Sequence, residues 1–213
     1  MKLYVMMAMV FSIAACNGTA DNQVDTDTTK HVNHDDKTAT GTGPSHMKEM
    51  HDAMTTMEEQ MKATPPSGDP DYDFTMMMKH HHEGAISMGK AELAGGTDGT
   101  IKRIAQKIID AQQQDLPEFD RILSKDKPSG KSDYAQKAMG MMTPMSNIQM
   151  ESGSLDAMFA SMMIPHHEDG IKMAQEYLKS GRDDDMKRIA NKIISTHPRE
   201  ISELRDWLDR NKR

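Results

Sequence analysis

Two stretches decide the fold: Met77-Met78-Lys79-His80-His81-His82-Glu83 and Met162-Met163-Ile164-Pro165-His166-His167-Glu168. Each is followed, at matching spacing, by an isoleucine and a methionine: Ile86 and Met88 in the first, Ile171 and Met173 in the second. A helix turns about 100° per residue, so Met77, His81 and Met88 project in nearly one direction, as do Met162, His166 and Met173. Met78 with His82, and Met163 with His167, form the neighbouring ridge.

The two stretches belong to a longer repeat. A shift of 85 positions places Phe74 on Phe159, His81 on His166 and His82 on His167. The match runs without a gap through Gly96/Gly181 and Asp98/Asp183, then Lys102-Arg103-Ile104-Ala105 against Lys187-Arg188-Ile189-Ala190, and ends near Leu123/Leu208. Upstream, Met54 and Met57 fall on Met139 and Met142. Self-similarity of this extent marks a tandem duplication. It divides the chain into repeat 1 over 46–130 and repeat 2 over 131–213.

Each unit reads as helix. Met47, Met50, Met54, Met57 and Met61 recur at three and four residues, one stripe of a 3.6-residue period. Pro65, Pro66, Gly68 and Pro70 then break the chain, and a second helix spans about Asp71 to Leu93 before Gly95-Gly96. A third begins at Asp98 as N-cap, with Ile101, Ile104, Ile108, Ile109 and Leu116 on its apolar face. The second copy predicts helices near 133–148, 154–179 and 183–210. Pro165 marks a place where its helix kinks or starts late, and Pro117 and Pro198 do the same for the third helices. No alternating strand pattern occurs. The expectation is an all-α four-helix bundle of two tandem repeats with short Met-rich flanking helices.

Ahead of the repeats, Lys2 and the apolar run Leu3–Ala15 form a targeting segment too short to span a bilayer. It ends Ile13-Ala14-Ala15-Cys16, which resembles the lipobox of bacterial lipoproteins. Residues 1–15 are therefore expected to be removed and Cys16, the single cysteine, lipidated. Residues 16–45 lack large apolar side chains and read as a flexible polar tether. His31, His34 and His46 lie in or beside it and read as solvated rather than ligating. The protein is then exported and lipid-anchored to the cell envelope. A net charge of -7 argues against non-specific nucleic-acid binding and suits a collector of cations.

The chain holds 23 Met against 1 Trp, 4 Tyr and 4 Phe, so methionine must supply part of the core. A Met stripe alone is ordinary packing. Adjacent His beside adjacent Met, duplicated, is not, because imidazoles on a core-facing ridge are costly unless bonded. Thioether and imidazole select soft or borderline metals, copper above all, and serve calcium or magnesium badly. The candidate ligands are Met77, Met78, His81, His82, Met88, Met162, Met163, His166, His167 and Met173, with His197 as a further donor. Cu(I) is preferred, with Cu(II), Ag(I) or Zn open. Gln112/His197 and Asp115/Glu200 are equivalent polar pairs on apolar helices, placed to orient the histidines. Glu83 and Glu168 point away from that face. No Gly-rich phosphate loop, nucleophilic cysteine, nucleophile elbow or Glu-x-x-His pair appears.

These residues resemble the family called domain of unknown function 305. Its hallmark is Met-[Met/Ile]-x-x-His-His followed by a small residue, an apolar residue and Met, and Met77–His82 and Met162–His167 match it. A later segment, apolar-Ile-Ile-x-x-Gln-x-x-Glu-Ile ending Trp-Leu, is matched by Ile108-Ile109 with Gln112 and Asp115, by Ile193-Ile194 with His197 and Glu200, and by Trp207-Leu208. The resemblance implies an exported ferritin-like bundle, some members looking like copper-binding proteins of copper tolerance. His197 in place of the usual Gln departs from the pattern. The expected function is binding and sequestration of copper outside the cytoplasm, without catalysis. A ferritin-like metal-dependent oxidase and a Met-rich interaction module are the alternatives. A homodimer or a metal-handling partner protein stays open.

Overall fold

Strong caps set where the helices begin. In the computed structural model, residues 44–125, 128, 130–151 and 153–211 are described, and they form seven α-helices and no strand. These are α1 (Pro44–Ala63), α2 (Pro70–Gly95), α3 (Gly99–Gln113), α4 (Leu116–Lys125), α5 (Tyr134–Met141), α6 (Leu155–Tyr177) and α7 (Asp184–Asn211). The signal segment, Cys16 and nearly all of the tether lie outside the described residues. Asp69 caps α2 through the amides of Asp71 and Tyr72, with Pro70 entering the first turn. Asp98 caps α3 through Thr100 and Ile101, and its repeat partner Asp183 caps α7 through Asp185 and Met186.

α2 and α6 pack against each other at the centre, α3 and α4 lie on α2, and α7 lies on α6. α1 covers α2 and touches α6. Its stripe is core: Met50, Met54, Met57 and Met61 are no more than 2% exposed. Burying one such side chain stabilises by about 1.5–3 kcal/mol, so these unbranched residues do the work that aromatics do elsewhere. Three of the rare aromatics cluster, with Phe74 stacked on Tyr177 at 4.1 Å and Tyr134 edge-on to both.

The halves are tied by exchanged caps. Asp71, in the first turn of α2, accepts from the Arg182 and Asp183 amides at 2.7 and 3.1 Å. Asp156, in the first turn of α6, accepts from Thr97 and Asp98 at 2.9 and 2.8 Å. Each carboxylate thus holds the turn that starts a helix of the other repeat, α7 for Asp71 and α3 for Asp156. Gly96 and Gly181 permit these turns to close. A Cβ at Gly96 would meet the Glu92 carboxyl at 1.9 Å, and one at Gly181 would meet the Tyr177 ring at 2.2 Å.

The helix boundaries match the sequence reading at Pro117 and depart from it elsewhere. The flanking helix of repeat 2 is shorter than 133–148: α5 ends at Met141, and Pro144 leads into a 3-10 turn over Met145–Asn147. That segment is held instead by Asp169, which accepts from the Thr143 amide and hydroxyl. The third helix of repeat 1 breaks at Gln114–Asp115, ahead of Pro117, and restarts as α4. Pro165 and Pro198, by contrast, lie inside unbroken helices.

Candidate metal centre

Where α2 meets α6, His81 and His166 cross. His81 Nε2–H donates to the His166 carbonyl at 2.8 Å, and His166 Nε2–H donates to the His81 carbonyl at 3.0 Å. The rings stack with centroids 3.7 Å apart. A carbonyl only accepts, so the proton of each neutral ring sits on Nε2 and Nδ1 carries a bare lone pair. Both Nδ1 atoms are buried without a hydrogen-bond partner. Burial, followed by the neighbouring His82, pushes the His81 pKa well below its ordinary value; burial, followed by His81, does the same to His166.

The second histidine of each pair turns sideways to the last helices. His82 Nε2 lies 3.4 Å from the Asp115 carboxylate at the α3–α4 junction, and His167 Nε2 lies 2.8 Å from Glu200 of α7. Their Nδ1 atoms are likewise buried and unpartnered. Burial lowers the His82 pKa against the opposing pull of Asp115 and the Met78 carbonyl. Burial and His82 bring His167 down to about 3. On Asp115, burial acts upward but hydrogen bonds from His82 and Lys192 hold the carboxyl below its usual range. Glu200 is raised by burial, which outweighs the surrounding cationic groups. His197 stacks on His167 at 4.0 Å and its Nδ1 lies 3.4 Å from the His167 carbonyl.

The predicted thioethers line the same two helices. Met77, Met78 and Met88 from α2, and Met162, Met163 and Met173 from α6, are all within 3% of full burial. Glu83 faces Lys79 and His80 at the surface, and Glu168 pairs with Arg205. The candidate ligands thus fall into a central seam, His81 with His166, and two lateral cages, His82 with Asp115 and His167 with Glu200 and His197. Buried imidazoles that resist protonation are already in the form a metal requires, and their bonded Nε2 sides fix the ring orientation. Sequence reasoning paired Gln112 with His197 and Asp115 with Glu200. It did not register Gly170, whose missing Cβ makes room for the rings: a Cβ there would lie 2.9 Å from His81 Cε1 and 3.3 Å from His197 Nδ1. The signal was a glycine inside a helix that the first copy fills with Ala85.

Fold and site together define a duplicated all-helical protein with a buried histidine centre inside a methionine core. The chain belongs to the family described as Domain of unknown function (DUF305), whose model matches residues 17–123 and again 121–208. Two solved structures share the fold. One, described as "CopM in the Ag-bound form (by soaking)", has a TM-score of 0.53 at 23% identity and covers 67% of this chain and 97% of its own. The other, a DUF305 fragment from Deinococcus radiodurans, has a TM-score of 0.50 at 19% identity and covers 68% and 99%. No curated protein matches the chain. Among the described residues no helix is long and apolar enough to cross a membrane.

Proposed function

We propose that the protein binds and sequesters a soft metal ion, Cu(I) in preference to Cu(II), outside the cytoplasm, anchored through lipid on Cys16. One observation carries the metal reading: four buried imidazole nitrogens, Nδ1 of His81, His82, His166 and His167, have no hydrogen-bond partner. Leaving so many polar atoms unmade is costly, and bound metal ions would relieve that cost. Thioethers from the same helices complete a soft donor set for a d¹⁰ ion. The silver bound by the structural relative is in keeping with such a set. The large apolar side chain exposed among the described residues is Met150, at 44%, so the Met faces close a core rather than offer a partner surface.

Competition against a chromogenic Cu(I) chelator should show uptake of at least two equivalents by the folded chain, unchanged by thiol alkylation. Met88→Leu with Met173→Leu keeps core volume at a cost under about 1.5 kcal/mol for each swap while deleting two sulfurs. It should weaken Cu(I) binding at least about tenfold with the fold intact. Uptake no greater than that of the unfolded chain would refute the copper reading, and unchanged affinity in the variant would leave the thioethers as packing. Mass spectrometry of the mature N-terminus should find residues 1–15 gone and lipid on Cys16. An unmodified Cys16 ends the anchor reading.

A further inference from the structure

The two lateral cages are built on equivalent positions and yet differ in charge. In repeat 1 the cage is His82, Gln112 and Asp115; in repeat 2 it is His167, His197 and Glu200. Repeat 1 already contains a cation. Lys192 reaches across from α7, and its ammonium donates to Asp115 at 2.9 and 3.2 Å and to the Ala111 carbonyl at 3.3 Å. Its counterpart, Lys107, points outward to Glu203 at 3.8 Å and is 63% exposed. Among the described residues, Glu200 has His167 as its ion-pair partner, and no ammonium comes as close to it as Lys192 comes to Asp115. The third position differs as well. Gln112 leaves both amide atoms buried and unpartnered, whereas His197 brings a second imidazole, stacked on His167.

We propose that repeat 2 holds a second metal site, distinct from the soft-metal seam, in which His167, His197 and Glu200 bind one borderline divalent cation, Zn²⁺ or Cu²⁺. One ligand atom from each of the three lies within 4.8 Å of the others. Metal–ligand bonds of about 2.0–2.2 Å then need an inward adjustment on the order of 1 Å together with a rotation that splays the stacked His167 and His197 rings so that both lone pairs point at the ion. Two nitrogens and a carboxylate oxygen, with no sulfur, select a borderline divalent ion rather than Cu(I). Against two of the donors, His197 and Glu200, lies a cavity of about 20 Å³, bounded also by His82, Gln112 and Lys192. It has room for a single water as fourth ligand. Gly170 keeps the His197 ring clear of the α6 backbone. The cation would stand to Glu200 as the Lys192 ammonium stands to Asp115. On binding, the proton on His167 Nε2 moves to Nδ1 and Nε2 takes the metal, so the ring remains neutral and its Nδ1 leaves the soft-metal donor set to His81, His82 and His166.

The site does not rest on the soft-metal reading, since none of its donors is a thioether. Titrating the full chain calorimetrically with Zn²⁺, and with Cu²⁺ followed by electron paramagnetic resonance, should show one tight equivalent with nitrogen hyperfine structure for Cu²⁺. His197→Gln installs the residue that repeat 1 carries at this position. It should cost at least about tenfold in Zn²⁺ affinity while circular dichroism stays unchanged. The converse double variant, Gln112→His with Lys192→Gln, should add a second Zn²⁺ equivalent. Wild-type protein that takes up no Zn²⁺ or Cu²⁺, or His197→Gln protein that binds them as tightly, overturns the proposal. Parallel loss of Ag⁺ and Zn²⁺ in His197→Gln would merge the two sites and overturn it too. Zn²⁺ uptake without Ag⁺ uptake would sink the soft-metal reading and leave this one standing.

Discussion

Acidification from about pH 7 to about pH 5 should unfold the metal-free domain in one cooperative transition. Five histidines drive it. Burial holds His81, His82, His166, His167 and His197 below the ordinary value of 6.5, His167 down to about 3. The unfolded chain takes up these protons as pH falls through 6.5, and the folded chain refuses them until far lower. Their contribution to stability is therefore complete above 6.5 and is lost on the acid side. Each proton bound by the unfolded state alone costs about 1.4 kcal/mol per pH unit. Glu92 and Glu200, both raised by burial, act the other way but cancel no more than two of the five. The net loss is on the order of several kcal/mol per unit, against a total of about 5–15 kcal/mol for a domain of ordinary stability. Urea titrations at stepped pH should give a slope of several protons between about pH 6.5 and 5, lowered by about one in His197→Gln. Metal-loaded protein should hold out to lower pH, because bound metal competes with those protons. A folded domain whose stability is flat down to about pH 4.5 would mean that the histidines are not buried neutral.

The helices and the duplication were legible because both are local patterns: the Met stripe of α1, the Asp98 cap and the His-His pairs need no knowledge of partners. Spacing does not decide that the duplicated faces meet across α2 and α6, since a helix face does not name what it packs against. The breaks were harder still. Pro117 and Pro198 carry the same warning in sequence, yet the chain breaks before the first and runs through the second. At the first, the Asp115 carbonyl finds new donors in the Glu118 and Phe119 amides, so restarting a helix satisfies the backbone. Lys107 and Lys192 look identical as letters and sit at equivalent positions, and still one points out while the other enters the opposite repeat. Likewise the substitution of Tyr177 for Glu92 between the copies reads as drift until both side chains are seen beside the exchanged caps.

At alkaline pH the expected result turns on Glu92, and Glu92→Gln should abolish it. Tyr177 donates its hydroxyl to Asp71 at 2.7 Å, beside the turn of the last helix. Glu92 occupies the same position in the other half, near Asp156, fully buried with both carboxyl oxygens unpartnered. Burial, then the neighbouring Asp156, raises its pKa from 4.5 to about 9. The folded protein keeps that proton where the unfolded chain, titrating at 4.5, has lost it. The stabilisation is therefore full below 4.5 and drains away as pH rises towards 9. The slope is at most about 1.4 kcal/mol per pH unit, summing to a few kcal/mol once residual solvation of the carboxyl is allowed for. Above about pH 7, where the histidines no longer contribute a slope, wild-type stability should decline by about 1 kcal/mol per unit up to about pH 9. Glutamine is close in shape and cannot ionise, so Glu92→Gln should show a flat profile over the same range and exceed wild type at its alkaline end. Glu92→Asp, which remains ionisable, should keep a declining profile. Parallel profiles for wild type and Glu92→Gln would place the charge on Glu92 at neutral pH, with the Thr97–Asp98 turn tolerating two carboxylates side by side.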